Sequence, residues 1–421
     1  IVISPADSLP LHLAIGYKAT NPDRNRYKSN VLMWKQFIAN GKNASTSSEE
    51  YDPEHACVVV HTGGTTGSPK GVMLTDRNFN AIAIQFSAYE GLFKKGQTLM
   101  NIMPPFIAYG YACGVHLPLV LGLTVVIIPN LDPAKLGSLI WKYKPEHMFG
   151  VPAHYQQMAA DSKLKDKDLS FIRNYAAGGD AISIGAEKTV NEFLAAHNVE
   201  YPMAKGYGMT EVSSAATCAA GKNNKLGSVG IPLVNTLVSV FEPDTEKELP
   251  IGERGELCIS GPTTMKGYYN KPDETDMILR RHPDGRIWVH TGDIGYLDED
   301  GFVFLDSRIK RLIIRHDGFK VFPSMIENVI SQHPAVHQCS VVGCTDKDHV
   351  QGRLPFVYVV LKPDTTAKKK QVVRELERMC AEELPEYVQP VAYKFIPEMP
   401  MTPVGKIDYR QLEADISPRD Y

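Results

Sequence analysis

Between residues 97 and 232, short apolar runs alternate with longer amphipathic stretches. The runs have the length of β-strands, and the stretches between them repeat apolar positions at helical spacing. Strands are predicted at residues 98–103, 123–128, 147–150, 171–176 and 199–203. Helices are predicted at residues 132–143, 152–160 and 184–197. This alternation is typical of an α/β sheet whose strands are joined by helical crossovers.

The pattern changes at about residue 233, where short strands are separated by turn dipeptides. Strands at 237–241, 255–260, 286–290 and 301–305 indicate a small antiparallel sheet or barrel. After residue 307 the signals run strand, helix, strand, strand, helix, strand, with a long helix over 366–383. We therefore expect a multidomain chain of α/β and α+β class. It would comprise a domain at 1–309, which includes a β subdomain at 233–305, and a small mobile α+β domain at 310–421.

Composition favours a soluble enzyme of two or three domains, with 421 residues, 43% of them hydrophobic and 22% charged. A net charge of −3 gives no reason to expect nucleic acid or an anionic membrane as a partner. The longest apolar run, 117–128, is shorter than the roughly 20 residues that cross a bilayer, so we expect no transmembrane segment. Seven cysteines form no C-x-x-C pair, and we expect buried, reduced thiols in a cytoplasmic protein. Because the chain opens at Ile1 without a methionine, we expect a fragment.

Residues 61–71, His-Thr-Gly-Gly-Thr-Thr-Gly-Ser-Pro-Lys-Gly, combine glycines, hydroxyls and one lysine. Glycines let backbone N–H groups turn toward an anion, and Lys70 supplies charge to a polyphosphate. A buried strand is predicted at 57–60, and a helix is predicted to begin after Thr75 or Asp76. The spacing does not match G-x-x-x-x-G-K-[ST], so this is not a Walker A loop. Composition alone leaves a phosphate site and an ordinary turn as equal alternatives.

Two more glycine-rich segments, 178–180 and 206–211, follow predicted strands. Ligands bind beyond the carboxyl ends of strands in open α/β sheets. The ring of Tyr207 could lie against a flat base, Thr210 could donate to a phosphate oxygen, and Glu211 offers the hard oxygen that Mg²⁺ prefers. Either segment alone is more often a simple turn.

Taken with the loop at 61–71, the chain resembles the adenylate-forming enzymes, the superfamily of acyl-CoA synthetases, luciferases and nonribosomal adenylation domains. Four further motifs match that superfamily in order: YGMTE at 207–211, TGD at 291–293, SRIK at 307–310 and PMTPVGKI at 400–407. The segments 255–257 and 267–269 are additional landmarks. Since five motifs in order cover nearly the whole chain, it is identified as a member, closest to the acyl-CoA synthetases.

The resemblance implies roles for residues spread along the sequence. The residues implied to contact phosphates are Thr62, Gly63, Gly64, Thr65, Thr66, Gly67 and Lys70. Those implied around the nucleoside are Gly179, Asp180, Tyr207, Gly208, Asp293 and Arg308. Catalytic roles are implied for Lys406, Thr210 and Glu211, of which Glu211 would hold magnesium. Lys310 would be the hinge of the mobile domain, and coenzyme A would pass along Gly318, Phe319 and Lys320.

The implied substrate pocket is formed by Phe106, Ile107, Tyr109 and Val151. Amino-acid adenylation domains usually place an aspartate just after the position of Phe106, whereas Ile107 offers no charge. We therefore expect a fatty or aromatic acid. The sequence departs from the family at Ile107, where many members carry histidine, and at Lys205, where CoA ligases often carry glutamine. The segment between Arg308 and Gly318 is one residue longer than is usual in the family.

The resemblance implies an ATP-dependent acyl-CoA synthetase that forms an acyl-adenylate, releases pyrophosphate and transfers the acyl group to CoA. Two alternatives stay open. One is an adenylating enzyme that loads the phosphopantetheine of a carrier protein. The other is a nucleotide-binding remnant without full activity. The sequence predicts neither the length of the acid nor the oligomeric state.

Overall fold

The computed structural model describes residues 9–20, 32–42, 50–62, 70–89, 91–349, 351–363, 365–401, 407–417 and 419–421, together with the backbone but not the side chain of Lys310. The chain divides into two compact units, Ile1–Asp52 and Pro53–Tyr421. In the first unit the structure describes helices α1 (Leu11–Thr20) and α2 (Trp34–Gly41). The second unit contains the elements that follow.

The second unit begins with an α/β region. Its helices are α3 (Asp76–Ser87), α4 (Ala108–Tyr111), α5 (Leu117–Leu121), α6 (Leu136–Tyr143), α7 (Pro152–Ala160) and α8 (Ile184–Ala196). Its strands are β1 (Ala56–His61), β2 (Gly71–Thr75), β3 (Thr98–Asn101), β4 (Thr124–Ile127), β5 (His147–Gly150), β6 (Asn174–Ala177), β7 (Ala204–Tyr207), β8 (Thr217–Ala219) and β9 (Ile231–Pro232).

Seven of these strands form one sheet in the order β4-β3-β5-β6-β7-β8-β9. The pairs from β4 to β7 are parallel, and the last two pairs are antiparallel. Successive side chains alternate between two cores, since Met148 packs on one face of the sheet and Phe149 on the other. A parallel sheet covered on both faces explains why the sequence shows continuous apolar runs here.

The rest of the second unit is an antiparallel region and a C-terminal region. The strands of the antiparallel region are β10 (Leu237–Phe241), β11 (Gly255–Ser260), β12 (Gly267–Tyr268), β13 (Leu279–Arg281), β14 (Ile287–Leu297) and β15 (Val303–Arg308), with helix α9 (Pro272–Ile278). The elements of the C-terminal region are β16 (Ile313–Ile314), β17 (Lys320–Val321), α10 (Pro323–Ile330), β18 (Val336–Thr345), β19 (Arg353–Leu361), α11 (Lys369–Glu383), β20 (Ala392–Phe395) and α12 (Tyr409–Ala414).

The antiparallel region is organised around β14. The sheet runs β10-β11-β14-β13, with β15 also paired to β14. Strand β12 instead pairs with β2 and completes a separate sheet, β1-β2-β12. The residue after β12, Tyr269, donates its backbone N–H to the carbonyl of Gly71 at 2.7 Å. This pairing brings the segment around Tyr268 to the end of the loop that begins at residue 62.

The C-terminal region has its own cores on the two faces of the β18-β19-β20 sheet. Val357 faces the core shared with α10 and α11, and Phe356 faces the one shared with α12. Among the described residues, no buried apolar cluster combines side chains from both sides of Lys310. The domain boundary at 310 is compatible with this separation and stays a prediction.

Several sequence predictions agree closely with these elements. The predicted segments 147–150, 152–160, 237–241 and 255–260 coincide with β5, α7, β10 and β11. Helix α3 begins after Thr75, whose side chain accepts from the N–H of Asn78. No helix among the described residues is both long and apolar enough to cross a bilayer.

Two local predictions are wrong. The strand expected at 199–203 begins at Ala204 instead, since Pro202 has no N–H to donate to a ladder. The run at 57–60 is an edge strand, and Cys57 and Val59 are exposed while Val60 is buried. A strand with one neighbour packs only alternate residues, so Cys57 is also an exception to the expected burial of the thiols.

Asn78 links helix α3 to the antiparallel region. It is 1% exposed, and its Nδ2 donates to the carbonyl oxygens of Pro262 and Thr264 at 2.8 and 2.9 Å. We expect Asn78→Ala to lower the free energy of unfolding by about 2 kcal/mol, because both half-buried carbonyls lose their donor. Urea denaturation measures this change. Asn80→Ala on the exposed side of the same helix is the control, and an equal loss in both variants would contradict the role of Asn78.

Candidate active site

Three of the residues predicted to surround the nucleoside meet at the junction of the two large sheets. Tyr207, at the end of β7, donates its hydroxyl to Asp293 Oδ2 at 2.8 Å. Arg308 Nε lies 2.8 Å from Asp293 Oδ1. Asp293 and Arg308 are register partners on β14 and β15. The three side chains therefore form one connected group, although 86 residues separate Tyr207 from Asp293.

The backbone around Asp293 is held by its neighbours. Its N–H donates to Thr291 Oγ1 at 3.0 Å, and that hydroxyl donates to the carbonyl of Leu257 at 2.6 Å. Gly292 has a φ of +69°, which favours glycine at the centre of the TGD motif. The Thr-Gly-Asp spacing thus fixes the carboxylate against β11.

Burial keeps the Tyr207 hydroxyl protonated. It raises the pKa of the Tyr207 hydroxyl well above its ordinary value, and the charge of Asp293 raises it further. The hydroxyl therefore stays protonated and acts as a donor to Asp293. Arg308 is 55% exposed and Asp293 is 9% exposed, so the carboxylate is anchored on the protein side and reached by a cation on the solvent side.

A second chain of polar residues, which the sequence reasoning missed, lies behind Asp293. Glu256 accepts from the N–H of Gly292 through Oε1 at 2.9 Å, and its Oε2 lies 2.8 Å from His290 Nδ1. His290 Nε2 lies 2.9 Å from His282 Nε2. Glu256 lies within the landmark segment 255–257, and His290 directly precedes the TGD motif. The recognised motifs were therefore the sequence signal that could have revealed both residues.

Glu256 holds this series of hydrogen-bonded side chains together as a carboxylate. Burial acts to raise its pKa, but the hydrogen bonds from His290 and from the Gly292 N–H lower it below its ordinary value. The carboxylate therefore holds Gly292 in place from within the protein. It supports the site without facing it.

Glu211 and Lys70 approach a common tyrosine. Tyr268 donates its hydroxyl to Glu211 Oε1 at 2.7 Å, and the Nζ of Lys70 lies 4.6 Å from the centre of the same ring. Lys70 also lies 3.4 Å from a carboxylate oxygen of Glu274. Sequence reasoning treated Tyr268 only as a landmark. The structure gives it contacts with a predicted catalytic residue and a predicted phosphate-binding residue.

Glu211 suits a divalent cation. Its side chain is 6% exposed, and in the described part of the chain no lysine or arginine forms an ion pair with it. Mg²⁺ prefers oxygen ligands, and a buried carboxylate with a neutral hydroxyl as partner is such a donor. Thr210 lies beside it at the start of a 3₁₀ turn, Thr210–Val212. Gly208 packs so closely on the Ser214 carbonyl that a Cβ would lie 2.0 Å from that oxygen.

Only the two ends of the phosphate loop are described. Thr62 donates its N–H to the carbonyl of Lys70 at 2.9 Å, and the Lys70 N–H donates to Thr62 Oγ1 at 3.2 Å. The remaining predicted members, Gly63, Gly64, Thr65, Thr66 and Gly67, lie outside the described residues, as does Lys406. Their roles stay predictions.

The structure brings together part of the predicted substrate pocket. A Cβ on Gly179 would lie 3.9 Å from both Tyr109 and Val151. The hydroxyl of Tyr109 lies 3.3 Å from the Gly150 carbonyl and 3.2 Å from that of Ala176. Because the Tyr109 hydroxyl points at backbone carbonyls, the side chain offers its apolar ring to the predicted pocket.

The other half of that pocket is less enclosed. Phe106 is 76% exposed, and Ile107 is half-buried at the start of α4. A five-residue π-helical segment, Ala112–His116, interrupts the helix between α4 and α5. Such segments are frequent near functional sites, where they change the direction of a helix face.

The residues predicted to lie along the path of coenzyme A belong to the region C-terminal to residue 310. Gly318, Phe319 and Lys320 are exposed at the hairpin between β16 and β17, and the Phe319 ring lies 4.6 Å from that of Tyr387. Asp180 is exposed at the carboxyl end of β6. A few residues further on, a Cβ on Gly185 in α8 would lie 2.4 Å from the carbonyl oxygen of Ser331, so the two regions are in contact there.

Lys205 shows why one departure from the family is tolerated. It is 3% exposed and forms an ion pair with Glu187, which is 1% exposed. Its ammonium also donates to the carbonyl of Lys225 at 2.9 Å. Burial lowers its pKa, but a paired carboxylate on α8 accompanies the charge.

The comparisons with known proteins agree with this arrangement. The model of the AMP-binding enzyme family matches residues 14–269, and that of the AMP-binding enzyme C-terminal domain matches residues 325–406. The long-chain-fatty-acid–CoA ligase of Bacillus subtilis is 33% identical over 420 residues, which are 98% of this chain and 72% of that protein. The probable 4-coumarate–CoA ligase 1 of Dictyostelium discoideum is 35% identical over 398 residues, 92% of this chain and 68% of that protein.

Solved structures share the fold. ATP-bound MatB from Rhodopseudomonas palustris superposes with a TM-score of 0.81 at 23% identity, covering 100% of this chain and 79% of that one. The o-succinylbenzoate coenzyme A synthetase of Bacillus subtilis, in complex with ATP and magnesium, has a TM-score of 0.73 at 25% identity, covering 90% and 74%. With the first family model matching more than half of its length, the chain belongs to the AMP-binding enzyme family, the adenylate-forming superfamily that its motifs indicated.

Proposed function

We propose that this protein is an ATP-dependent acyl-CoA synthetase that activates a fatty or aromatic carboxylic acid as an acyl-adenylate and then transfers the acyl group to coenzyme A. The observation that carries the proposal is that Tyr207 and Arg308 both contact the carboxylate of Asp293 at the junction of the two sheets. Long-chain-fatty-acid and 4-coumarate ligases among the relatives support both the reaction and the substrate class.

The nucleoside would bind at that carboxylate. A carboxylate such as that of Asp293 can accept from both ribose hydroxyls, since its two oxygens offer about four acceptor sites. Arg308 would neutralise the carboxylate and add a charged contact toward the nucleotide. The adenine would lie near Gly179 and Asp180 at the carboxyl end of β6.

In the first half-reaction a carboxylate oxygen of the acid attacks the α-phosphorus. The bond from that phosphorus to the bridging oxygen breaks, and pyrophosphate leaves. The protein supplies no nucleophile, so its task is to position the reactants and offset negative charge. Lys70, the loop N–H groups at 62–67 and Lys406 would do this, and Thr210 would contact the α-phosphate.

The second half-reaction transfers the acyl group. The thiolate of coenzyme A attacks the acyl carbonyl, the thioester bond forms, and AMP leaves with the electrons of the acyl–oxygen bond. The small region at 310–421 would turn about Lys310 between the two steps, bringing first Lys406 and then the face of Gly318, Phe319 and Lys320 to the site. The separate cores of that region support such a movement.

Magnesium bound at Glu211 would offset charge on the phosphates during adenylation. A neighbouring side chain holds the Glu211 carboxylate in position for the ion. Tyr268 fixes the direction of the Glu211 carboxylate by its hydroxyl, and its ring carries the ammonium of Lys70 by a cation–π contact. The tyrosine therefore acts as a positioning residue for two groups that would hold the phosphates.

The acid would bind against an apolar wall. Tyr109 directs its hydroxyl to backbone carbonyls, so its ring and the side chains of Ile107 and Val151 offer no charge to an ammonium group. This favours a fatty or aromatic acid over an amino acid.

The direct test is the carboxylate-dependent exchange of labelled pyrophosphate into ATP. We expect exchange with fatty or aromatic acids and none with amino acids, followed by thioester formation when CoA is added. Exchange that responds to amino acids and to no simple carboxylic acid would contradict the substrate class. Transfer to a carrier protein but not to CoA would contradict the second step.

Lys406→Ala divides the same assay into its halves. We expect loss of exchange but continued conversion of supplied acyl-adenylate and CoA to the thioester, because the lysine would serve only the first step. Lys370→Ala, on the exposed side of α11, is the control and should retain both steps. An equal loss of both half-reactions in Lys406→Ala would argue against alternation of the small region.

Tyr268→Phe tests the positioning role. The variant keeps the ring beneath Lys70 but removes the hydroxyl bound to Glu211, and we expect Mg²⁺–ATP to bind about tenfold more weakly. Calorimetry with Mg²⁺–ATP measures the change. Tyr269→Phe, a neighbouring tyrosine that is 57% exposed, should bind as the wild type does. Unchanged binding in Tyr268→Phe would remove Tyr268 from the site.

A further inference from the structure

A bulge interrupts the antiparallel pairing of β14 and β15 close to the candidate active site. Gly295 is the register partner of Leu305, whereas the preceding residue, Ile294, is the partner of Ser307. Asp306 lies between these two partners and is thus an extra residue on β15. Such bulges bend a strand and redirect the side chains that follow, and they are frequent beside active sites.

The extra residue brings Arg308 to Asp293. With it, the two residues are register partners, and Arg308 Nε lies 2.8 Å from Asp293 Oδ1. If β15 kept the register that it has at Leu305, Arg308 would instead face Gly292. Because neighbouring residues of a strand point to opposite faces, this shift would also turn the guanidinium to the other face of the sheet. The contact between Arg308 and Asp293 therefore requires the bulge.

Arg254 holds the side chain of the extra residue. Its Nε donates to Asp306 Oδ2 at 2.8 Å. Arg254 directly precedes β11, which pairs with the opposite edge of β14, so this ion pair spans β14 from one neighbouring strand to the other. We propose that Arg254 and Asp306 are positioning residues for the nucleotide, because their ion pair holds the bulge that directs Arg308 to the site.

Two further contacts fix the geometry beside the bulge. The guanidinium carbon of Arg254 lies 4.6 Å from the centre of the Tyr296 ring, which is a cation–π contact. A Cβ on Gly295 would lie 2.2 Å from the carbonyl oxygen of Phe304, so glycine is required for this close approach of the strands. Arg254 is therefore held against β14 as well as against Asp306.

Burial makes Asp306 depend on its cation. Its side chain is 10% exposed, and among the described side chains Arg254 is the only lysine or arginine that forms an ion pair with it. Burial raises the pKa of the Asp306 carboxyl, and the charge of Arg254 acts in the opposite direction. Removing Arg254 would leave a largely buried carboxylate without its cation, which costs more than the loss of an exposed ion pair.

The role of Arg254 rests on the proposed binding of the nucleotide at Asp293, although Arg254 itself would not touch the nucleotide. It acts through β15, whereas the proposed acid pocket at Tyr109 and Val151 belongs to other elements. In the pyrophosphate exchange assay we therefore expect Arg254→Met to raise the KM for ATP and to leave the KM for the acid unchanged. A general loss of stability would affect both.

Calorimetric titration with Mg²⁺–ATP tests the coupling between Arg254 and Arg308. We expect Arg254→Met to bind about tenfold more weakly than the wild type, because Arg308 is then no longer held toward Asp293. In an Arg308→Ala background the same substitution should change the affinity by less than about twofold, since the group through which it acts is gone. Arg254→Lys should regain most of the affinity. Arg286→Met, which breaks an exposed ion pair of the same sheet, is the matched control and should bind as the wild type does.

Hydrogen exchange, followed by mass spectrometry, measures the bulge without any ligand. We expect the amides of residues 303–308 to exchange faster in Arg254→Met and in Asp306→Asn than in the wild type or in Arg286→Met. Unchanged exchange there would overturn the proposal, and so would faster exchange with unchanged ATP affinity. An equal loss of ATP affinity with and without Arg308 would also overturn it. A wild type that binds ATP and shows the coupling, but catalyses no pyrophosphate exchange, would contradict the proposed synthetase reaction alone.

Discussion

The hydrogen bond from Tyr207 to Asp293 is the contact on which the candidate site depends. It joins the last parallel strand of one sheet to the central strand of another, beside an apolar core to which both sheets contribute. Burial raises the pKa of the Tyr207 hydroxyl and keeps it protonated as a donor, while Arg308 Nε lies 2.8 Å from the other carboxylate oxygen of Asp293. Without that bond, the Asp293 carboxylate would lose the side-chain contact that ties it to β7.

A second tyrosine contacts both Glu211 and Lys70, the residues proposed to act on the magnesium and the phosphates. Tyr268 belongs to a short strand that pairs with β2, which directly follows Lys70. Its hydroxyl reaches Glu211 in the turn after β7. The position of Lys70 relative to Glu211 is thus set by strand pairing. The third segment, beyond residue 310, has its own cores and contacts the α/β region where Ser331 lies against Gly185, which is compatible with movement during a reaction cycle.

Local pattern was sufficient to predict much of the fold and the principal chemical residues. Strands such as 147–150 and 255–260 carry their own apolar run and end at clear turn signals, so their positions followed from the sequence. The strand at 204–207 did not, because Lys205 is polar and its burial depends on Glu187, a partner on another element. Tyr268 and His282 were missed for the same reason. Their significance comes from neighbours distant in sequence, which periodicity and spacing do not reveal.

The central claim is that the ribose of ATP binds at Asp293, where both sheets meet. The most direct measurement compares the binding of ATP and of 2′-deoxy-ATP to the wild type and to Asp293→Asn by calorimetry. We expect the wild type to prefer ATP by about tenfold, since the deoxynucleotide leaves a charged acceptor without its donor, and we expect the variant to lose most of this preference. The same preference in both proteins would contradict the placement of the nucleotide.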